Sequence, residues 1–330
     1  MKFSLIICTY MRPKSLLQLL RSVQLQTLYP DEILIIDGST NKETEAVIAE
    51  NEFRNLHYFL VQENFRGLTK QRNFGIDKVA ETSDVVAFLD DDTELIPNYF
   101  EELIKTFTVN QEISGVGGVA INENRWSLAE PNKKYDSNHY FQFEGFVYKE
   151  GHRNVVRNYF GLHSNLGPGR MPDYSHGKTC GFPLNGKTYE VDLLVGMSFA
   201  FRKKVFDSLR FSSYFEGYGL YEDADFSIRA LQFGKNVINT KVQLNHYHHL
   251  SGRPNQYRYG KMVVTNGWYV WRTKNPKPAL LHQLKWHSIT LLLIAIRYSN
   301  VLNKSNKKEA LMEAFGRTVG WGNLYFSKPK

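Results

Sequence analysis

The sequence contains little cysteine and no long uninterrupted apolar run. Two cysteines in 330 residues, Cys8 and Cys180, are too few for a disulfide framework. We therefore expect both to be reduced and the protein to be intracellular. The longest late apolar run, 289–296, is interrupted by Thr290 and is too short to span a bilayer. The first residues lead directly into a short apolar segment, so we expect no signal peptide.

Apolar residues and positive charge are abundant. Hydrophobic residues make up 42% of the chain and aromatic residues 14%, which is enough for a sizeable core and argues against disorder. The net charge of +8 points to an anionic partner such as nucleotide phosphates, a membrane face or nucleic acid. No RNA- or DNA-binding module is visible, so we expect no nucleic-acid partner.

Apolar strand patterns and helical patterns alternate through the first 90 residues. This alternation predicts an α/β fold with a mostly parallel central sheet flanked by helices. The predicted strands are 3–8, 32–37, 56–61, 85–89, 115–121 and 237–244, and regular structure is expected to resume at 191–201. The predicted helices are one that begins at Pro13, 43–51, 68–80, 97–109, 203–209 and one from 222 that ends at Gly234.

The patterns also predict how the chain divides. Residues 1–255 would form the main domain, with halves at 1–121 and 190–255. Between them, 122–189 loses its periodicity and is rich in Gly, Asn, His and Tyr, so we expect an insertion with short strands and a mobile loop. Residues 256–330 read as a basic helical extension. Its mixture of Arg and Lys with Trp and Tyr over 257–297 suits either an anionic membrane face or packing on the main domain.

Three consecutive acids, Asp90, Asp91 and Asp92, follow the buried strand at 85–89. Their charges repel, and desolvating them is costly without a counter-ion. Carboxylate oxygens are ligands that divalent cations prefer. Asp90 and Asp92 are two residues apart and would point the same way in an extended chain. The stretch therefore predicts a divalent-cation site, with a solvated acidic turn as the alternative.

Polar residues also end the first two predicted strands. They are Thr9, Tyr10 and Arg12 after the first, and Asp37 and Ser39 after the second. Ligands of parallel sheets bind at the carboxyl ends of strands. The acid could accept hydrogen bonds from a base or a ribose, and the tyrosine could pack on a ring. A helix N-cap or an Asx turn would equally explain Asp37.

Three cations, Arg66, Lys70 and Arg72, cluster near a predicted helix start. A diphosphate would use them for charge neutralisation. The alternative is a solvated basic face.

Acids and histidines form a last group late in the chain. Glu222, Asp223 and Asp225 stand at a predicted helix start, where the helix macrodipole alone would explain them. Three histidines follow the last predicted strand: His246, His248 and His249. One of these could complete a metal site with Asp92.

These motifs, taken in order, resemble the family 2 glycosyltransferases with their GT-A fold. The similarity extends over 2–121 and 191–252. It rests on segments 6–12, 36–40, 64–75, 90–92, 196–202 and 222–223. Segment 64–75 departs from the pattern because Arg66 precedes the glycine, and 122–189 carries no motif of the family.

The resemblance implies a role for each candidate residue. It implies nucleotide binding by Thr9, Tyr10, Arg12, Asp37, Ser39, Arg66, Lys70, Arg72, Asp90 and Asp91, with Asp37 and Arg72 on the base. It implies that Mn²⁺ or Mg²⁺ is held by Asp92 and Asp90 with His246 or His248. Asp223 would be the catalytic base, and Gly196, Glu222 and Asp225 would lie near the sugar and acceptor.

The implied activity is inverting transfer of a sugar from a nucleotide diphosphate-sugar to an acceptor hydroxyl, in polysaccharide or glycoconjugate synthesis. The expected acceptor is a saccharide or a lipid-linked saccharide. The expected location is the cytoplasm, with peripheral attachment to the inner face of a membrane as a further expectation. Two alternatives are a sugar-phosphate nucleotidyltransferase and a non-catalytic sugar-nucleotide-binding protein. The first usually needs a Gly-rich loop after the first strand, and residues 9–13 contain no glycine.

Overall fold

A computed structural model describes residues 1–248, 254–303 and 306–326. The described strands are β1 (Phe3–Thr9), β2 (Glu32–Asp37), β3 (Leu56–Leu60), β4 (Val85–Asp90), β5 (Thr93–Leu95), β6 (Ile113–Ala120), β7 (Trp126–Leu128), β8 (Tyr140–Phe143), β9 (Phe146–Lys149), β10 (Thr188–Val191), β11 (Ser198–Arg202) and β12 (Lys235–His246). The described α-helices are α1 (Pro13–Gln24), α2 (Glu43–Ala49), α3 (Leu68–Ile76), α4 (Tyr99–Val109), α5 (His152–Tyr159), α6 (Glu222–Ala230), α7 (Gln256–Lys274), α8 (Leu280–Asn303) and α9 (Lys307–Phe326).

The α/β prediction is confirmed by a nine-stranded sheet ordered β10-β12-β6-β11-β4-β1-β2-β3, with β5 paired to β12. Strands β3, β2, β1 and β4 are parallel neighbours. Strand β11 runs antiparallel between β4 and β6, and β12 is parallel to β6. Within 191–201, where regular structure is expected to resume, residues 192–197 form a loop between β10 and β11. The predicted helix at 203–209 is a 3₁₀ helix over Lys203–Asp207.

The sheet is covered on both faces because side chains alternate along each strand. Phe3, Leu5 and Ile7 of β1 belong to the core cluster that also contains apolar residues of α1 and α4. Ile6 points the other way, and a Cβ built on Gly75 of α3 would lie 2.8 Å from its Cγ2 atom. This glycine therefore lets α3 lie close against the opposite face.

The chain divides into two compact units. Unit 1 comprises 1–124 and 184–252, and unit 2 comprises 125–183 and 253–330. Most of the segment predicted as an insertion, 122–189, thus falls in the same unit as the C-terminal helices. The predicted domain boundaries themselves stay a prediction.

Unit 2 contains a three-stranded antiparallel sheet, in the order β7-β9-β8, and helices α5, α7, α8 and α9. Helices α7 and α9 cross at glycines: a Cβ on Gly260 would lie 2.2 Å from the carbonyl oxygen of Glu313. The tryptophans of α7 and α8 pack against one another, with Trp268 and Trp286 rings 4.9 Å apart. Within the described part of the chain, no helix is both long enough and apolar enough to cross a bilayer.

His176 lies in the segment between α5 and β10 and bonds to α7. We expect this residue to make the stability of the protein depend on pH. Its Nε2 atom lies 3.1 Å from the carbonyl oxygen of Gly267, to which it donates. Burial lowers the pKa of His176 from 6.5 to about 4. The folded protein favours the neutral ring of His176. The contribution of this group to folding stability is therefore fully present above pH 6.5 and is lost as the pH falls towards 4.

We expect the wild type to lose about 1–3 kcal/mol of unfolding free energy through this group between pH 6.5 and 4. His176→Gln keeps a donor for Gly267 but has no titrating ring, so its loss over the same interval should be smaller. Urea unfolding of both chains at several pH values measures the difference. Equal pH profiles would contradict this assignment.

Candidate active site

The carboxyl ends of β1, β2 and β4 meet at one edge of the sheet. The strand registers pair Thr9 with Asp37 and Cys8 with Asp90. Parallel strands present their carboxyl ends at a common edge, where ligands of such sheets bind. The polar residues predicted from three separate stretches are therefore neighbours in unit 1.

Asp37 is fully buried at the end of β2. It accepts hydrogen bonds from the backbone N–H of Ser39 at 2.8 Å and from the Tyr58 hydroxyl at 2.7 Å. The first of these is the Asx turn that the sequence left open as an alternative. The Ser39 hydroxyl accepts from the N–H of Met11 at 2.8 Å, which fixes the loop after β1. Tyr10 in that loop is 48% exposed, so its ring is available to a ligand.

Asp91 is buried, and Nη1 of Arg12 lies between it and Asp92, 3.7 Å from Oδ2 of Asp92. It accepts hydrogen bonds from the Thr9 hydroxyl at 2.7 Å and from Nη1 of Arg12 at 2.9 Å. Burial raises the pKa of Asp91 to about 6, although Arg12 and Thr9 act against the rise. Asp91 therefore anchors the loop after β1 to the acidic strand end.

Asp90, Asp92 and His246 bring ligand atoms within 4.8 Å of one another. The Nε2 atom of His246 lies 3.4 Å from Oδ1 of Asp92. Strand pairing causes this contact, because β5 follows Asp92 directly and pairs Thr93 with His246 in β12. Burial acts against protonation of His246, but Asp92 and Asp90 raise its pKa overall.

The other histidines occupy different places. His248 contacts Glu123, with its Nε2 atom 2.7 Å from the carboxylate. Glu123 also lies 3.0 Å from Nδ1 of His246, so these three residues form a second group with metal-binding geometry. His249 lies outside the described residues.

Arg72 is 2% exposed and joins the acidic strand end to helix α6. Its guanidinium donates to Glu222, to Asp90 at 3.3 Å and to the carbonyl oxygen of Gly196 at 3.1 Å. It also lies 4.9 Å from the ring centre of Phe199. Burial raises the pKa of Glu222 while Arg72 acts against the rise. The ion pair of Arg72 and Glu222 therefore lies in an apolar environment, where each charge is stabilised by the other.

Asp223 is held at the start of α6 by two backbone donors. Its Oδ2 atom accepts from Gly196 at 2.9 Å and its Oδ1 atom from Ala224 at 2.8 Å. A Cβ on Gly196 would lie 3.2 Å from Arg72 and from Glu222, so the loop fits closely around the carboxylate. Asp223 also acts electrostatically on Asp90. The structure thus connects the predicted base to the predicted metal residues through Gly196 and Arg72.

The contacts given above do not include three of the predicted residues, Arg66, Lys70 and Asp225. Lys70 pairs with Glu216 at 3.2 Å. Arg66 has a buried Nε atom without a hydrogen-bond partner. Asp225 is fully buried and pairs with Arg229, which donates to it at 2.6 and 2.9 Å.

Three residues of this region were not singled out from the sequence. Tyr58 bonds to Asp37, and Glu123 bonds to His246. Gln71 is buried and donates to the carbonyl oxygens of Thr9 and Ile36, which ties the ends of β1 and β2 together. Only Gln71 carried a sequence signal, since it stands directly before Arg72.

The ligand atoms of Asp90, Asp92 and His246 fit a hard divalent cation. Two carboxylates and one imidazole converge in one place, and carboxylates suit Mg²⁺ and Mn²⁺ while imidazole is a common ligand of transition metals. The excess of negative charge at the strand end gives such an ion a counter-charge.

A comparison with solved structures places the fold among the GT-A glycosyltransferases. The crystal structure of GalNAc-T7 with UDP, GalNAc and Mn²⁺ superposes with a TM-score of 0.51 at 17% identity, covering 80% of this chain and 48% of that one. This similarity concerns the fold alone. Residues 4–165 match the family described as Glycosyl transferase family 2. That segment therefore belongs to this family, which confirms the resemblance read from its motifs.

Two curated relatives match part of the chain. The glucosyl-dolichyl phosphate glucuronosyltransferase of Haloferax volcanii is 30% identical over 135 residues, which are 40% of this chain and 41% of that protein. The GalNAc(5)-diNAcBac-PP-undecaprenol beta-1,3-glucosyltransferase of Campylobacter jejuni is 28% identical over 131 residues, or 39% and 41%. The matches thus span about two fifths of these relatives.

Proposed function

We propose that the protein is an inverting glycosyltransferase that moves a sugar from a nucleotide diphosphate-sugar to an acceptor hydroxyl, in polysaccharide or glycoconjugate synthesis. The observation that supports this most is the connection of Asp223 to Asp90 through Gly196 and Arg72, beside Asp92 and His246. In this proposal the carboxylate of Asp223 accepts a proton, and the separate carboxylates of Asp90 and Asp92 bind a cation.

The nucleotide would lie at the carboxyl ends of β1 and β2. Tyr10 offers an exposed ring for stacking on the base. Asp37 and Ser39 would shape the base pocket with Thr9 and Arg12. Arg66 and Lys70 would face the diphosphate, since each stands near the start of α3. The burial of Arg72 gives it a positioning role in this proposal, and it would act on the donor through Asp90.

The chemical step requires one base and a stabilised leaving group. Asp223 would accept the proton of the acceptor hydroxyl as its oxygen bonds to the anomeric carbon. The bond from that carbon to the diphosphate oxygen breaks, and a nucleoside diphosphate leaves. A single displacement inverts the anomeric configuration, so only one carboxylate must act as base. Asp92, Asp90 and His246 would hold Mn²⁺ or Mg²⁺, which neutralises charge on the leaving group.

We further propose that the acceptor is a lipid-linked saccharide. The support is that both curated relatives carry a lipid-linked saccharide in their names. Glu222 and Gly196 border Asp223 and would form the near wall of the acceptor site, whereas Asp225 would support that wall from inside through Arg229. A cytoplasmic location is part of this proposal.

Thermal stabilisation by a panel of nucleotide diphosphate-sugars, with and without Mn²⁺, tests the donor proposal. We expect one nucleotide class to raise the melting temperature only when Mn²⁺ is present. Incubation of that donor with lipid-linked saccharides should release the nucleoside diphosphate. If no nucleotide sugar stabilises the protein with either Mn²⁺ or Mg²⁺, the proposal is wrong.

Variants of the metal group sharpen this test. Asp92→Ala should weaken Mn²⁺-dependent binding of the donor at least about tenfold, because it removes a direct carboxylate ligand. His246→Ala should show a similar loss. His57→Ala serves as the matched control, since this histidine is exposed on β3 and belongs to neither group. Calorimetry that gives the same affinity for Asp92→Ala as for the wild type would remove Asp92 from the metal site.

A further inference from the structure

Helix α8 of unit 2 presents an exposed face that is rich in leucine. Leu280, Leu284, Leu291 and Leu302 are 44% to 80% exposed, and Tyr298 on the same stripe is 37% exposed. The spacings between these positions are four, seven, seven and four residues, which keeps them on one side of an α-helix. The stripe extends over nearly the whole of α8, which has 24 residues and a length of about 36 Å.

No charged residue interrupts this face. The other exposed residues between Leu280 and Leu302 are Leu281, Ser288, Ala295 and Ser299. The two charged residues of α8 are directed to other partners: Lys285 lies over the ring of Tyr174 at 4.7 Å, and Arg297 pairs with Glu313. An apolar face of this length without charges is characteristic of an interaction surface.

The aromatic residues of this region do not supply the surface. Trp268, Trp271 and Trp286 are all less than 5% exposed and pack together inside unit 2. The buried tryptophans therefore cannot face a membrane, and the exposed leucines of α8 are the candidates for that role.

The charge around this face identifies its partner. Residues 256–330 contain thirteen Lys and Arg but only two acids, Glu309 and Glu313. The segment thus carries +11, although the whole chain carries only +8, so the remainder is slightly acidic. Exposed Lys277 precedes the helix, and exposed Lys307 and Lys308 follow it.

We propose that the α8 face, comprising Leu280, Leu284, Leu291, Tyr298 and Leu302, inserts into the interface of an anionic lipid bilayer. An amphipathic helix binds such an interface by burying an apolar face while neighbouring cations attract anionic headgroups. A second copy of the chain is a poorer partner, because it would bring two strongly cationic segments together. The inference rests on the charge and exposure of unit 2 and does not require the proposed activity.

Flotation of the full chain with vesicles tests this proposal. The wild type should float with vesicles of phosphatidylglycerol and phosphatidylcholine and should stay behind with phosphatidylcholine alone. The triple variant Leu284→Gln, Leu291→Gln, Leu302→Gln should lose binding at least about tenfold, since glutamine keeps helix propensity but removes the apolar contact. The triple variant Leu25→Gln, Leu128→Gln, Leu166→Gln changes three leucines exposed elsewhere and should bind as the wild type does.

Several outcomes would overturn the proposal. They are failure of the wild type to float with anionic vesicles and equal flotation of the α8 variant and its control. A wild-type dimer that the α8 variant converts to a monomer without vesicles, by light scattering, would assign the face to a second copy instead. Circular dichroism verifies that the triple variant is folded. If it is not, the single variants Leu284→Gln and Leu302→Gln replace it, and each should bind more weakly than Leu25→Gln.

Discussion

Asp223→Asn is expected to lower the rate of sugar transfer by about 10²- to 10⁴-fold, the usual contribution of a general base. An amide cannot accept the proton of the acceptor hydroxyl at any accessible pH. Its oxygen can still accept from the N–H of Gly196 or of Ala224, the two donors that now hold the carboxylate. We therefore expect the loop around Asp223 to keep its shape and the donor to bind with unchanged affinity.

The measurement separates binding from chemistry. Calorimetry with the stabilising nucleotide sugar and Mn²⁺ gives the affinity, and release of nucleoside diphosphate gives the rate. Asp207→Asn is the matched control, because this aspartate is exposed in unit 1 and carries no role in the proposed site. Turnover of Asp223→Asn within a few-fold of the wild type would remove Asp223 as the base. A parallel loss of donor affinity would instead indicate a structural role.

Arg72→Met should destabilise the protein by about 3–5 kcal/mol, because it leaves the carboxylate of Glu222 buried without its counter-ion. Glu222 is itself 3% exposed, and its Oε2 atom has no hydrogen-bond partner. Methionine retains most of the contact that the arginine makes with Phe199 and Phe211. The loss should therefore come from the charge rather than from a cavity.

A double-mutant cycle isolates this charge effect. Arg72→Met combined with Glu222→Leu should recover much of the stability lost in Arg72→Met, since both charges are then absent. Transfer activity should not recover, because Gly196 and Asp90 would still lack their donor. Lys235→Met is the control: its pair with Glu112 lies in solvent, so its loss should leave the stability nearly unchanged. Urea unfolding gives these values, and a loss below about 1 kcal/mol for Arg72→Met would contradict the buried pair.

The alternation of apolar and helical patterns was sufficient to predict the first half of unit 1. Strands β1, β2 and β4 lie within a residue of the predicted bounds, because fully buried strands are continuous apolar runs that end in polar residues. Within 191–201 the prediction did not separate the loop at 192–197 from the strands on either side, because the whole segment is mostly apolar. The grouping of 125–183 with the C-terminal helices had no signal in the sequence.

The acids of the site could be recognised from the sequence because charged residues are unusual directly after a buried strand. Three carboxylates after a buried strand repel one another and need a counter-ion whatever the rest of the fold, so the sequence alone predicted a cation site. The choice among the histidines required the pairing of β5 with β12, which places His246 on Asp92. That pairing joins positions about 150 residues apart, and no local pattern encodes it.

Arg72 illustrates the same limit for a single side chain. Beside Lys70 and Arg66 in the sequence it resembles one of three surface cations, yet the structure buries it between Asp90 and Glu222. The sequence by itself determined the alternation of strands and helices over the first 90 residues, the family of the segment 4–165 and the residues that carry charge at the strand ends, since these follow from local patterns and residue chemistry. Only the tertiary structure decided which charges neutralise one another and which leucines remain exposed, because burial depends on contacts between distant segments.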